Sequence, residues 1–254
     1  MRVVDNKRVI IKVACLACVT SISMATASDN DTPQSGGVEL DATRVIYPLN
    51  SKGVSLGVRS KHNFPVLVKS SVVDEGQKKE APFIITPPLF RLDGGQRNAL
   101  SITRTGGNYP ADRESLNWIC VQGIPPEPDS AWAGDEKNGS GKKQVSMNIQ
   151  MIISSCIKLL VRPENLSGNP VDVADKVSWN VTGKTLTAAN PTPFYMNVSS
   201  LTYNGAKLNM ARTYIPPFAE EKIALPSGAT AKGTLKWEVI GDYGEKMEKT
   251  VQIN

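Results

Sequence analysis

Few residues of this chain have the type and spacing that catalysis or metal binding requires. The sole histidine among the 254 residues is His62, in a polar Lys61-His62-Asn63 turn, and no H-E-x-x-H motif occurs. A Ser-His triad is a spatial arrangement and stays open on sequence alone, but a lone histidine in a turn is usually solvated. Two cysteines and one distant histidine do not make a zinc set. We therefore expect no enzymatic activity, no metal and no cofactor.

The N-terminus has the composition of a secretory signal peptide. An apolar run, VACLACVTSISMATA, is too short to span a bilayer and ends in the small-x-small cleavage pattern Ala25-Thr26-Ala27. We predict that residues 1–27 are a signal peptide and that the chain is exported. Basic residues flank the apolar run at Arg2, Lys7, Arg8 and Lys12.

The net charge argues against a nucleic-acid partner. The formal charge is +5, and the predicted signal peptide contributes four basic residues and Asp5, so the mature chain keeps 5 − 3 = +2. This charge is too small for phosphate binding, and no basic cluster interleaved with aromatic residues occurs.

Cys120 and Cys156 are the cysteines that remain after cleavage of the predicted signal peptide. In an oxidising compartment they should form a disulfide. The enclosed span is 156 − 120 = 36 residues, for which chain entropy gives about 4 kcal/mol. A redox-active pair is not expected, because the mature chain has no C-x-x-C spacing.

Lys158 lies between Ile157 and Leu159, and the apolar character of this stretch indicates that its ammonium is not simply exposed to solvent. A buried ammonium requires an anionic partner or a cage of carbonyls. The residues leave two partners open, Glu114 within the chain or an external carboxylate. The acidic pairs Asp74-Glu75 and Glu220-Glu221 are expected to be solvated loop faces.

Lys158 belongs to a stretch that we interpret as one very long strand, QVSMNIQMIISSCIKLLVRP at 144–163. The run from 144 to 161 has 18 residues, which at ~3.3 Å each would span ~60 Å, whereas most strands have about five or six residues. We predict that half of it overhangs its own core and exposes its apolar face unless another chain covers it. The alternative is an ordinary sandwich strand. The apolar row consists of Val145, Met147, Ile149, Met151 and Ile153.

Short strand-like runs with Gly, Pro, Asn and Asp between them predict two β-sandwich domains. The first domain covers residues 28–162, with about seven antiparallel strands after residue 38. A Pro/Gly/Ser-rich segment at 125–143 is predicted to be a mobile loop. A smaller sandwich follows at 163–254, with a hinge near Arg162–Glu164, since Pro163 cannot continue a ladder.

A second functional class stays open at this point. Asn-x-Ser/Thr sequons and two β domains would also suit a secreted immunoglobulin-like adhesin or receptor fragment. A hydrolase is a more distant third reading. The sequons considered are at Asn138, Asn165, Asn180 and Asn197.

Several motifs are spread over the predicted mature chain. They are TRVIYPL at 43–49, TPPLFRLDGGQ at 86–96, DRESLNWICVQGIPP at 112–126, IKLLVRP at 157–163, NPTPFYMN at 190–197 and GDYG at 241–244. Together these motifs resemble the PapD-like periplasmic chaperones of the chaperone/usher pathway, which assemble pili and adhesins. The long loop and the cysteine pair resemble the long-loop branch, which serves afimbrial adhesins and capsule-like fibres, and within it the chaperones of the Afa/Dr adhesin type.

The resemblance implies an all-β fold of two immunoglobulin-like sandwiches in an L or boomerang arrangement, located in the periplasm. It implies a chaperone that lends its long edge strand to a fimbrial or afimbrial adhesin subunit lacking its last strand, and delivers that subunit to an outer-membrane usher. The donor residues would be the apolar row from Val145 to Ile153. An exposed apolar strand also leaves self-association of the free chaperone open.

The resemblance also assigns roles to charged residues. Arg44 and Lys158 would bind the C-terminal carboxylate of the subunit in the cleft between the domains. A buried interdomain ion network would consist of Glu114, Arg162 and Asp242. According to this mapping, Glu114 would form an ion pair with Arg162, and Lys158 would bind a ligand.

Overall fold

A computed structural model describes residues 37–127, 130–132 and 150–254 of the chain, together with the backbone of 34–35. The predicted signal peptide at 1–27 and the row residues Val145, Met147 and Ile149 lie outside these described residues. Within the described residues, no helix has both the length and the apolar character needed to cross a membrane.

The first half of the fold is built from short strands whose side chains alternate between core and solvent. In β9, for example, Ile119 and Val121 are fully buried. The strands are β1 (Gln34–Ser35), β2 (Val38–Leu40), β3 (Arg44–Pro48), β4 (Val54–Ser60), β5 (Val66–Asp74), β6 (Phe83–Thr86), β7 (Leu89–Leu92), β8 (Arg97–Arg104), β9 (Ser115–Ile124), β10 (Gln150–Met151) and β11 (Ile153–Arg162).

These strands form a β-sandwich, as the sequence predicted. One sheet has the order β3-β11-β9-β5-β7 and the other the order β2-β4-β8-β6, while β1 pairs with β10. Side chains from both sheets meet in a core that includes Val68, Leu100 and Leu159. Burial of such aliphatic side chains is the main source of stability for a sandwich of this type.

Three predictions about strands were wrong in detail. The run VELDATRVIYPL at 38–49, which its residue types predict to be one strand, is two strands in different sheets. The backbone and side chain of Asp41 both bond to Gly57, and the chain then crosses to the other sheet. The strand β7 was not predicted. In its described part the long strand is interrupted at Ile152, since the neighbouring β9 ends before Pro125 and offers no ladder beyond the pairing of Ile153 with Gly123.

The second half is a separate sandwich with its own core, which includes Trp179 and Trp237 with ring centroids 5.3 Å apart. Its sheets have the orders β12-β13-β17 and β15-β14-β18-β19, with β16 paired to β14. The strands are β12 (Ser178–Thr182), β13 (Thr185–Asn190), β14 (Met196–Tyr203), β15 (Ala206–Lys207), β16 (Tyr214–Ile215), β17 (Ala219–Ala224), β18 (Gly233–Ile240) and β19 (Lys246–Ile253).

A short 3-10 helix, Pro170–Lys176, precedes the second sandwich and was not predicted. It begins at Asn169, whose side chain accepts from the backbone of Val171, while Asp172 bonds back to the Asn169 backbone. This is a capping box with a proline in the first turn. The helix is too short to show helical periodicity in the sequence.

Candidate functional site

Two cations lie side by side where the two sandwiches meet. Lys158 and Arg44 are Cα partners in the parallel pairing of β11 with β3. Both residues are buried, with 9% and 8% of their surfaces exposed. Because residues in register on adjacent strands point to the same face of a sheet, the two side chains share one face.

The Lys158 ammonium is held by a hydroxyl and two aromatic rings. Its Nζ donates to Thr213 Oγ1 at 3.3 Å and lies 5.8 Å and 5.1 Å from the ring centroids of Trp118 and Tyr214. Burial, and then the neighbouring charge of Arg44, lower the pKa of Lys158 from 10.5 to about 8.

Arg44 is equally short of partners. One of its terminal nitrogens donates to the carbonyl of Ile240 at 3.4 Å, whereas its Nε is buried and has no hydrogen-bond partner among the described residues. Burial lowers the pKa of Arg44, and nearby acidic residues, Asp242 first, partly offset that effect. In the described part of the chain, neither Arg44 nor Lys158 forms an ion pair. A pair of buried cations with free donors suits a small anion, and a carboxylate fits two such donors.

A third cation, Arg162 at the end of β11, is fully paired. Its Nε donates to Glu114 Oε1 at 2.8 Å, and its two terminal nitrogens donate to the two oxygens of Asp242 at 2.6 and 2.7 Å. The second oxygen of Glu114 accepts from the backbone N–H of Tyr195 at 2.8 Å. Burial raises the pKa of Glu114, and Arg162 opposes that shift. Of the two partners open for Lys158, Glu114 is therefore occupied by Arg162.

Between the cations and this ion network lies a small apolar contact. It consists of Leu116 and Leu160 from the first sandwich and Tyr195 and Tyr214 from the second, with Ile46 and Trp118 partly buried against them. The burial of these side chains fixes β11, the strand that presents both Lys158 and Arg162.

The strand face that carries the apolar row changes from buried to exposed along β11. Leu159 and Val161 are buried in the first core and Ile157 packs against it, whereas Ile153 is 41% exposed and Met151 of β10 is 45% exposed. All of these residues have the same parity in the strand. Apart from Ser155, which shares this parity, these side chains form an apolar face that begins in the core and extends beyond it. The row residues Val145, Met147 and Ile149 lie outside the described residues.

The predicted disulfide is present between Cys120 and Cys156, which are Cα partners on β9 and β11 with their Cα atoms 4.1 Å apart. It links the two strands two positions before Lys158. The bond therefore anchors β11 at the point where its apolar face leaves the core.

The sequence interpretation overlooked one motif match, and the fold gives it no catalytic context. Gly53-Val54-Ser55-Leu56-Gly57 fits G-x-S-x-G, but Ser55 lies within the antiparallel strand β4 and not on a strand-to-helix turn. His62 was expected to be solvated; instead its Nε2 bonds to the carbonyl of Gly37, and its ring stacks on Phe64 at 4.8 Å.

Expectations for the acidic pairs were wrong at Glu75 and Glu221. Glu75 accepts hydrogen bonds from the hydroxyls of Tyr214 at 3.0 Å and Tyr195 at 3.2 Å, and Glu221 is buried 3.5 Å from Arg212. Trp118 and Thr213 were also missed. Their side chains meet Lys158 from distant parts of the chain, so no local pattern indicates them.

Comparison with known proteins gives a consistent picture. Two family models match, one described as "Pili and flagellar-assembly chaperone, PapD N-terminal domain" at residues 37–167, the other as "Pili assembly chaperone PapD, C-terminal domain" at 172–251. Chaperone protein AggD of Escherichia coli is 43% identical over 240 residues, covering 94% of each chain. Chaperone protein AfaB of Escherichia coli is 47% identical over 206 residues, covering 81% of this chain and 83% of AfaB.

A solved structure is also similar. The chain matches a chain of the Salmonella enterica SafA pilin in complex with the SafB chaperone, with 38% sequence identity and a TM-score of 0.76. The match covers 88% of this chain and 100% of that chain.

Proposed function

This chain belongs to the PapD family of pili and flagellar-assembly chaperones, and from this premise we propose that it captures one pilin- or adhesin-type subunit in the periplasm. It lends the subunit its exposed edge strand, binds the subunit's C-terminal carboxylate with Arg44 and Lys158, and passes the subunit to an outer-membrane usher. The observation that carries the proposal is the pair of buried cations without an acidic partner among the described residues.

Strand donation is supported by the row that leaves the core. Met151 and Ile153 present an apolar face that continues the face of Leu159. Because β3 pairs with β11 from Lys158 onwards, an incomplete sandwich would gain a strand by pairing with β11 before that residue, and the row would fill its groove. Five donor side chains, from Val145 to Ile153, are worth roughly 7–15 kcal/mol at about 1.5–3 kcal/mol each. Association costs about 4–15 kcal/mol, so the ladder and the carboxylate anchor decide whether capture is tight.

The carboxylate anchor is supported by the chemistry of the cleft. A carboxylate accepts two or more charge-assisted hydrogen bonds, and each is worth about 1.5–3 kcal/mol. The terminal carboxylate of a subunit would supply the counter-ion that Lys158 and Arg44 lack. It would also fix which residues of the subunit meet the row, because the anchor sets the register of the added strand.

Periplasmic location and a non-enzymatic role complete the proposal. The predicted signal peptide supports export, and the relatives that match are chaperones by name. The second reading, a secreted immunoglobulin-like adhesin or receptor fragment, is not favoured, because these relatives are not adhesins. A hydrolase is disfavoured by the placement of Ser55 within β4.

Calorimetry with a peptide tests the anchor directly. The chain is co-expressed with the products of the neighbouring genes, the subunit that co-purifies is identified, and its last strand is synthesised with a free or an amidated C-terminus. Amidation should cost the wild type about tenfold or more in affinity and cost Lys158→Ala little. Equal losses in both proteins would refute the carboxylate anchor, and failure to co-purify any subunit would refute the chaperone proposal as a whole.

A further inference from the structure

Glu75 links the two sandwiches on the side of the cleft away from Arg44. It directly follows β5, which is two strands from β11 and three from β3 in the sheet order. Its carboxylate accepts from the Tyr214 hydroxyl at 3.0 Å and from the Tyr195 hydroxyl at 3.2 Å. Both tyrosines belong to the second sandwich and are buried. One carboxylate therefore holds two phenols across the domain boundary.

The groups that Glu75 holds are those that surround the Lys158 ammonium. The Trp118 indole donates to the backbone carbonyl of Glu75 at 3.1 Å. The rings of Trp118 and Tyr214 flank the ammonium, and Thr213, the residue before Tyr214, accepts its hydrogen bond. The ring of Tyr195 packs edge-on against Tyr214 with centroids 5.5 Å apart.

We propose that Glu75 is a positioning residue of the anchor: by fixing Tyr214 and Tyr195, it holds the aromatic wall and Thr213 against Lys158 and keeps the ammonium directed towards the ligand's carboxylate. This inference rests on the proposed function and adds a residue that does not itself contact the ligand. It also adds a polar link across the domain boundary to those made by Arg44, Lys158 and Arg162.

A pocket beside the rings of Trp118 and Tyr214 explains why these rings need the hydrogen bonds of Glu75. The open pocket of about 670 Å³ is lined among others by Glu75, Trp118, Arg212 and Tyr214. Without the carboxylate, water in this pocket would satisfy the Tyr214 hydroxyl equally well, and the ring would be free to turn towards it. Burial and the Glu75 carboxylate raise the pKa of Tyr214, so the hydroxyl keeps the proton that it donates.

Nuclear magnetic resonance of Lys158 tests whether Glu75 positions the groups around the ammonium or only links the two sandwiches. The ε-methylene protons between two aromatic rings should be shifted upfield by ring currents in the wild type. The variants compared are Glu75→Ala, Glu75→Gln and Tyr214→Phe, with Glu80→Ala as the control at an exposed glutamate after the same strand. Acetate is titrated as the carboxylate probe, and acetamide as its neutral counterpart, while the Lys158 signal is followed.

Glu75→Ala should lose most of the upfield shift and bind acetate about tenfold more weakly, with acetamide unchanged. Glu75→Gln, whose amide still bonds to a phenol, should restore both properties, and Tyr214→Phe should show a smaller change in the same direction. An unchanged Lys158 signal in both Glu75→Ala and Tyr214→Phe would overturn the inference. If the wild-type Lys158 signal shows the ring-current shift but does not respond to acetate, the carboxylate anchor is refuted. The loss or retention of the ring-current shift in Glu75→Ala then still decides whether Glu75 positions the groups around Lys158.

Discussion

Lys158 lies directly beside Arg44 on neighbouring parallel strands, and the two like charges face the same cleft. Like charges that are both buried destabilise a fold unless a counter-ion joins them. The free chain thus carries an unfavourable arrangement at the position where the proposed ligand would supply a negative charge. Binding would relieve a cost that folding alone leaves in place.

Removing either cation should abolish capture without unfolding the chain. Lys158→Ala and Arg44→Ala each leave a bound carboxylate with one partner in a partly desolvated cleft, so the loss should exceed the ~0–1 kcal/mol of a surface ion pair. We expect folded chaperones whose subunit is degraded, as measured by the subunit level in periplasmic extracts. Lys207→Ala, at an exposed position in β15, is the control. Normal subunit levels with both variants would contradict the assigned roles.

Two aspartate substitutions on the same face of β11 should affect different properties, one subunit capture and the other folding. Ile153→Asp places a charge at an exposed position, so the free energy of unfolding should change by no more than about 0.5 kcal/mol, while capture of the subunit should be lost. Leu159→Asp places the same charge in the core and should unfold the chain. Thermal unfolding and co-purification measure the two effects. If Ile153→Asp unfolds the chain, the row belongs to the chaperone's own core.

The sequence predicted best what depends on periodicity and on neighbours in the strand. Alternation indicated an apolar face from Val145 to Ile153 that overhangs the core, and its described members Met151 and Ile153 are exposed. The isolation of Lys158 among apolar residues indicated an unusual cation. The two-sandwich class followed from the spacing of short strands. These features are local, and local patterns survive in the folded chain.

What the sequence could not predict are contacts between distant segments. Thr213 and Trp118 are 55 and 40 residues from Lys158 in the chain, and Glu75 reaches residues of the other sandwich, so no spacing rule connects them. The split of the first strand depends on a bond between Asp41 and Gly57 that only the folded sheet brings together. Glu75 was interpreted as solvated because a Glu after a strand usually is.

The disulfide should contribute stability chiefly by constraining the unfolded chain. For the 36-residue span between Cys120 and Cys156, replacing both by serine should lower the free energy of unfolding by about 4 kcal/mol at most. Capture should weaken as well, because the bond fixes β11 where the row leaves the core. Urea unfolding under oxidising conditions measures the loss, and reduced wild type should behave like the double variant. Equal midpoints for variant and oxidised wild type would contradict this role.

Removing Arg162 alone should destabilise the chain more than replacing Arg162 and its partner Glu114 together. Arg162→Met leaves Glu114, whose side chain is 0% exposed, as an unpaired buried carboxylate, which costs about 3–5 kcal/mol. Adding Glu114→Gln should recover part of that loss, since the amide still accepts from the Tyr195 backbone. Asp242→Asn should cost less, because Asp242 is partly exposed. Urea unfolding of the single and double variants gives the coupling energy, and additive losses would contradict a coupled network.

The lowered pKa of Lys158 predicts that stability and ligand affinity depend on pH in opposite directions. The folded chain loses the Lys158 proton near pH 8 and the unfolded chain near 10.5, so between these values the unfolded chain binds more protons and the free chaperone becomes more stable as pH rises.

A carboxylate ligand requires the ammonium, so its affinity should be flat below pH 8 and fall above it, by up to about tenfold per pH unit. Lys158→Met should remove both dependences, because it keeps the length of the side chain but has no proton to lose. Calorimetry from pH 6 to about 10, with the free-acid peptide and its amidated form, makes the comparison. A free-acid affinity that falls equally in wild type and Lys158→Met would mean that another group titrates, and that Lys158 does not bind the carboxylate as its ammonium.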